Sequence, residues 1–67
     1  MKDYLFQNRI RAIRKEKHMT LAEISGSVGI SIAYLSDIER GNRHGTQGTL
    51  QRIAAALGVT VEDLEVA

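Results

Sequence analysis

The 67-residue chain carries few side chains able to do covalent chemistry. Cysteine is absent, which removes thiol nucleophiles, disulfides and thiolate metal sites. Two histidines are present, His18 and His44, and no further Cys or His completes a metal site around them. A nucleophile, a base, an orienting group and a water-excluding cleft are hard to fit into so short a chain, so the sequence argues against an enzyme and predicts no cofactor and no metal. What remains is the chemistry of anion recognition, meaning arginine, lysine, hydroxyl and backbone N–H donors. Residues 1–20 hold six cations against two acids, a net +4, whereas residues 21–67 hold three arginines against six acids, a net −3. The last ten residues contain Glu62, Asp63 and Glu65 and no cation. The overall charge of +1 hides this asymmetry, which fits one face turned toward an anion and another kept away from it. Arg11, Lys15 and Glu16 are read more simply as solvating a helix face.

The elements that position these groups are helical. Apolar residues recur at spacings of three and four, proline is absent, and Gly, Ser and Thr divide the chain into five pieces. A first helix is predicted over 4–17, capped by Asp3, with Leu5, Phe6, Ile10 and Ile13 as its apolar residues. Arg14, Lys15, Lys17 and His18 suit its negative C-terminal end. Thr20-Leu21-Ala22-Glu23 forms a capping box that opens a second helix over Leu21–Val28. Gly29 ends it, Ser31 caps a third helix over 32–40, and Gly41 stops that one. A polar loop over 41–46 leads to a fourth helix, Gln47–Leu57, whose Leu50, Ile53, Ala54 and Leu57 share one face. Thr46 caps that helix, and Thr60-Val61-Glu62-Asp63 is a second capping-box-like start that opens a last helical turn over 61–65. The size bounds a single all-α domain over 1–67.

The stretch over about 20–41 has the spacing of a helix-turn-helix: a small residue at Ser25, glycine four residues later, and Leu35 and Ile38 six and nine beyond Gly29. The flanking strings extend the pattern. Arg9-Ile10-Arg11-Ala12-Ile13-Arg14, Met19-Thr20-Leu21-Ala22-Glu23-Ile24, Ile30-Ser31-Ile32-Ala33-Tyr34-Leu35-Ser36-Asp37-Ile38-Glu39-Arg40-Gly41 and Leu50-Gln51-Arg52-Ile53-Ala54-Ala55-Ala56-Leu57-Gly58-Val59 together resemble the lambda-repressor-like (Cro-type) helix-turn-helix domains. The resemblance covers nearly the whole chain and implies a compact five-helix DNA-binding domain. It also implies a transcriptional regulator, here a repressor, that binds a palindromic operator as a homodimer. Arg14 and Glu39 match a family ion pair tying the first helix to the third. Dipole electrostatics agree, because Glu39 near a helix C-terminus needs a compensating cation.

The site residues follow from that geometry, in which the third helix enters the major groove and the second crosses the backbone. Ser31, Ile32, Ala33, Ser36 and Asp37 are the expected base contacts. Serines hydrogen-bond, Ile32 and Ala33 meet thymine methyl groups, and Asp37 accepts from a cytosine amino group. No long amide or basic reader stands on the leading turn, so the half-site is expected to hold a T-rich element and to rely on indirect readout. Expected phosphate contacts are Thr20 and Leu21 at the start of the second helix, the Tyr34 hydroxyl, Arg40, Asn42, Arg43 and Arg9. The sequence departs from the family where the usual phosphate-reaching Gln is Leu21, and where Gly45, Thr46 and Gln47 replace Pro, Ser and Leu. Gln47 is thereby expected to leave a core position partly polar.

Val59, Val61, Leu64 and Val66 supply apolar area near the C-terminus and are the expected dimer interface; Leu64 and Val59 are expected to close the core of the monomer as well, which leaves Val61 and Val66 as the better interface candidates. The competing reading is a protein-binding helical module such as an antitoxin or an accessory regulator. No apolar run approaches the roughly 18 residues of a membrane span, and no signal-like stretch opens the chain, so a cytoplasmic location is expected.

Overall fold

The structure is a computed structural model, which describes residues 7–65. Among the described residues, five α-helices pack around one core: α1 (Ile10–Glu16), α2 (Leu21–Val28), α3 (Ile32–Glu39), α4 (Gln47–Leu57) and α5 (Val61–Leu64). Each of the last four begins at the hydroxyl residue the sequence offers as a cap. Thr20 accepts from the Glu23 N–H and Ser31 from the Tyr34 N–H. Thr46 accepts from Thr49, and Thr60 accepts from Asp63. These bonds satisfy donors that the first helical turn leaves without an internal partner. Glu23 and Asp63 reach back to the N–H groups of Thr20 and Thr60, completing two capping boxes.

The first helix differs from its predicted extent. It starts at Ile10, and residues 7–9 are not helical. The expected Asp3 cap and the apolar residues Leu5 and Phe6 lie outside the described residues. The physical reason for the late start is that residues 8 and 9 are engaged elsewhere. The Arg9 N–H donates to the Leu64 carbonyl at 2.7 Å, forming an isolated antiparallel bridge between Asn8 and Glu65. The Asn8 side chain accepts from the Ile10 N–H at 3.0 Å and donates to the Ile38 carbonyl at 2.8 Å. One asparagine thus starts α1 and ties it to the end of α3.

The core comprises Ile10, Ile13, Ile24, Val28, Leu35, Ile38, Leu50, Ile53, Ala54, Leu57 and Leu64, with partly buried Met19, Leu21, Ile30, Tyr34, Val59 and Val61 packed against it. Two sequence expectations are corrected by this packing. Gln47 is exposed, because α4 turns it outward at its first position and lets Leu50 fill the core. Leu64 is 1 % exposed, so it closes the core of this chain and offers no surface for a second copy. Among the described residues, no helix is long and apolar enough to cross a membrane.

Candidate nucleic-acid interface

The interface is built on the α2–turn–α3 unit. Gly29 ends α2 with φ +86°, a left-handed conformation that costs glycine nothing. Its N–H and that of Ile30 both donate to the Ser25 carbonyl, at 2.8 and 3.1 Å, closing the turn tightly. Ser25 is buried, so a larger side chain there would disturb the packing of α2, and its hydroxyl donates to the Ala22 carbonyl at 3.1 Å. Leu35 and Ile38 anchor the inner side of α3 in the core. Arg52 on α4 donates to the Val28 carbonyl at 3.2 Å, bracing the end of α2 from the other side.

The end of α3 is held by a second polar device. Arg14 Nε lies 2.6 Å from Glu39 Oε2, and its Nη2 donates to Oε1 at 3.2 Å, a bidentate pair with side chains 11 % and 5 % exposed. Nη1 of the same guanidinium donates to the Met19 carbonyl at 2.9 Å. One arginine therefore ties α1, the α1–α2 connection and α3 together. The Glu39 hydrogen bond, opposed by burial, raises the Arg14 pKa from its ordinary value.

The outer side of α3 is the candidate reading surface. Ser31, Ile32 and Ala33 are exposed, and Ile32, at 49 %, is a large apolar side chain facing solvent. Ser36 and Asp37 are half-buried. The Ser31 oxygen caps Tyr34, so that hydroxyl retains its own hydrogen for an outside acceptor. Asp37 is placed differently from the free cytosine acceptor expected of it. Its Oδ1 accepts from Arg40 Nη2 at 2.8 Å and its Oδ2 from Arg43 Nε at 3.4 Å. These bonds, the one from Arg40 foremost, hold the Asp37 carboxyl below the usual carboxylate range.

The loop after α3 folds back onto the same residue. Gly41, at φ +82°, reverses the chain, and the Asn42 and Arg43 N–H groups both donate to the Asp37 carbonyl, at 2.9 and 3.3 Å. The Arg43 guanidinium carbon sits 5.7 Å from the centre of the half-buried Tyr34 ring, within cation–π range. Tyr34, Asp37, Arg40, Asn42 and Arg43 thus form one cluster beside the outer face of α3. Thr20 and Leu21 stand at the α2 N-terminus; Thr20 is engaged in its capping box and the Leu21 side chain packs against the core. Arg9 lies elsewhere: its backbone bonds to Leu64, and its charge bears on Asp63 of α5. Val59 and Val61 are half-buried, and Val66 lies outside the described residues. Asn8 and Arg52 are positioning residues that sequence reasoning missed. The only local signal for Asn8 was an Asx side chain two residues before a helix-starting isoleucine.

Two helices joined by a tight glycine turn, the second anchored by its inner face and open along its outer one, define a helix-turn-helix domain. Residues 10–64 match the family described as helix-turn-helix, and the chain belongs to that family. Relatives in that family are named as HTH-type transcriptional regulators. The chain is 45 % identical over 56 residues to the HTH-type transcriptional regulator DdrOP3 of Deinococcus deserti, covering 84 % of this chain and 43 % of that protein. It is 42 % identical over 53 residues to the immunity repressor protein of Bacillus phage phi105, covering 79 % and 37 % respectively. The chain therefore spans about two fifths of the length of these two relatives. Its fold superposes with a TM-score of 0.73 on the biofilm-formation regulator SinR of Bacillus subtilis, crystallised in complex with DNA, at 36 % identity over 81 % of this chain and 87 % of the other.

Proposed function

We propose that this chain is the DNA-binding unit of a transcriptional repressor and that it binds a palindromic operator as a homodimer. The observation that carries the reading is the outer face of α3: an exposed Ser31-Ile32-Ala33 edge flanked by the Arg40–Arg43 cluster, on a helix whose opposite face is locked into the core. The DNA-bound structure of SinR and the repressor name of the phi105 relative support the same reading.

In this reading the start of α3 lies along base edges in the major groove. Ser31 and Ser36 hydrogen-bond to bases or to nearby phosphates, and Ile32 and Ala33 meet thymine methyl groups. Arg40, Asn42, Arg43 and the Tyr34 hydroxyl grip the flanking phosphates, and the first-turn N–H groups of α2 at Thr20 and Leu21 add a second grip. The Arg14–Glu39 pair keeps α3 at the angle this requires. Arg9 contributes at most a peripheral phosphate contact, since it sits against α5. Val59 and Val61 carry the dimer contact together with Val66.

Selection from random duplex DNA followed by anisotropy titration at several salt concentrations tests this. The expected result is an enriched two-fold sequence with a T-rich half-site and affinity that falls steeply as salt rises through counterion release. Failure of a well-folded sample to bind any duplex at low ionic strength would refute it.

A further inference from the structure

The arginines that flank α3 are exposed to solvent but already paired with an acid. Arg40 and Arg43 converge on one carboxylate, each taking a different oxygen of Asp37, at 2.8 and 3.4 Å. Both guanidinium side chains remain 63 % exposed, while Asp37 is 31 % exposed, so the two cations stay accessible to an outside anion while paired with the carboxylate. Tyr34 supports Arg43 from the side at 5.7 Å, and the Asp37 carbonyl holds the loop N–H groups that carry Arg43. A carboxylate bridging two guanidiniums has the charge sign and donor demand of a nucleic-acid phosphate bridging the same pair.

We propose that Asp37 acts as an internal substitute for a DNA phosphate: it keeps Arg40 and Arg43 arranged for phosphate contact while cancelling part of their charge, and thereby restrains binding to duplex DNA of arbitrary sequence. The inference rests on the DNA-binding reading above and deepens it. Two arginines beside an unscreened groove would attach to any duplex, because sequence-independent affinity comes from neutralised phosphates. With Asp37 in place, the cluster of three charges carries a net +1 in place of +2. A phosphate that reaches the arginines must displace or share them with an anion already there. A correct operator adds base contacts along Ser31, Ile32 and Ala33 that compensate for this competition, whereas a random duplex does not. Asp37 is therefore a positioning and specificity residue that acts through the arginines.

The test uses Asp37→Asn, which preserves size and one acceptor, measured by anisotropy on a random-sequence duplex and on the selected operator across a salt series. The expected result is roughly three- to tenfold tighter binding to the random duplex, a smaller gain on the operator and hence a lower specificity ratio. The slope of log affinity against log salt should steepen by about 0.9, one additional phosphate contact. The same substitution on an Arg40→Ala, Arg43→Ala background should change random-duplex affinity far less. Asp37→Ser provides the same readouts if the asparagine variant does not fold. Unchanged or weaker random-duplex binding by Asp37→Asn, with the wild type binding normally, would overturn this proposal and leave the DNA-binding reading intact. Absence of wild-type binding to any duplex would overturn both.

Discussion

Glu39 ties the end of α3 to α1. Its carboxylate is 5 % exposed and receives two bonds from an Arg14 guanidinium that is itself 11 % exposed. Removing one partner leaves the other charge buried without compensation, a loss of about 3 kcal/mol or more. Small domains of this kind hold only roughly 3–5 kcal/mol. Glu39→Ala is therefore expected to be largely unfolded or to melt far below wild type in thermal denaturation; equal melting temperatures would reject the role. Ile32 offers the opposite case. At 49 % exposure it contributes little to the fold, so Ile32→Ala should melt like wild type. In an operator titration it should lose about 1 kcal/mol of discrimination for thymine at one half-site position, the value of a lost methyl contact. Equal binding to every operator variant would remove that contact. The Arg14–Glu39 pair was legible through the resemblance to the Cro-type domains, and the need of an acid at a helix C-terminus for a cation agreed with it. Asn8 and Arg52 were not legible, because each bonds a backbone carbonyl on another helix, 30 and 24 residues away, and carbonyls leave no trace in residue type.

At the level of elements, the caps were readable and one helix start was not. Four hydroxyl caps fall where the sequence places them, since each satisfies donors within three residues of itself. The start of α1 depends instead on Arg9 pairing with Leu64, a contact across the whole chain that local periodicity does not encode. The end of α1 exposes a different tension. His18 adopts φ +57°, with its N–H donating to the Lys15 carbonyl and that of Met19 to Arg14. A non-glycine residue there carries about 1 kcal/mol of strain. His18→Gly is expected to raise stability slightly, by up to about 0.5 kcal/mol after the greater freedom of the unfolded chain is counted, read from urea unfolding midpoints. Gly45 predicts the reverse sign: at φ +81°, an added Cβ would lie 3.2 Å from Ile38 Cδ1 in the core. Gly45→Ala should therefore destabilise, by about 1–2 kcal/mol. Either substitution moving the midpoint the other way would contradict the backbone geometry. The α5 cap adds a pH signature. The Thr60 backbone N–H, then its hydroxyl, hold the Asp63 carboxyl below its ordinary value, so this contribution is complete above the unfolded Asp range and fades as acid titrates the folded carboxylate. Asp63→Asn should flatten the acid limb of a stability-against-pH curve, and an unaltered limb would assign that limb to other carboxylates.

For the whole molecule, the proposed homodimer makes predictions about the C-terminal turn. One protomer measures 32 Å along its longest axis, which suits two domains set about 34–36 Å apart on successive major grooves. The C-terminal turn was expected to supply Leu64 to the dimer contact as well as to the core, yet burial assigns Leu64 to the interior, where α5 closes over α4. Periodicity alone could not separate the two roles, because a four-residue helix shows one apolar face whether it packs inward or outward. The separation is now testable. Leu64→Ala should cost about 2–5 kcal/mol through a core cavity, enough to abolish folding and DNA binding together. Val61 is half-buried at the first position of α5, where a lysine can keep its stem on the core edge and carry its charge into solvent. Val61→Lys should therefore melt near wild type and still bind a single half-site. A lysine pair facing each other across the two-fold axis would repel, so binding to the complete palindrome should lose its cooperativity, seen as a Hill slope falling to one and a lighter species in sedimentation velocity. A folded Val61→Lys protein that still assembles on the palindrome as tightly as wild type would place the dimer contact away from α5, and the search would pass to the exposed face of α4.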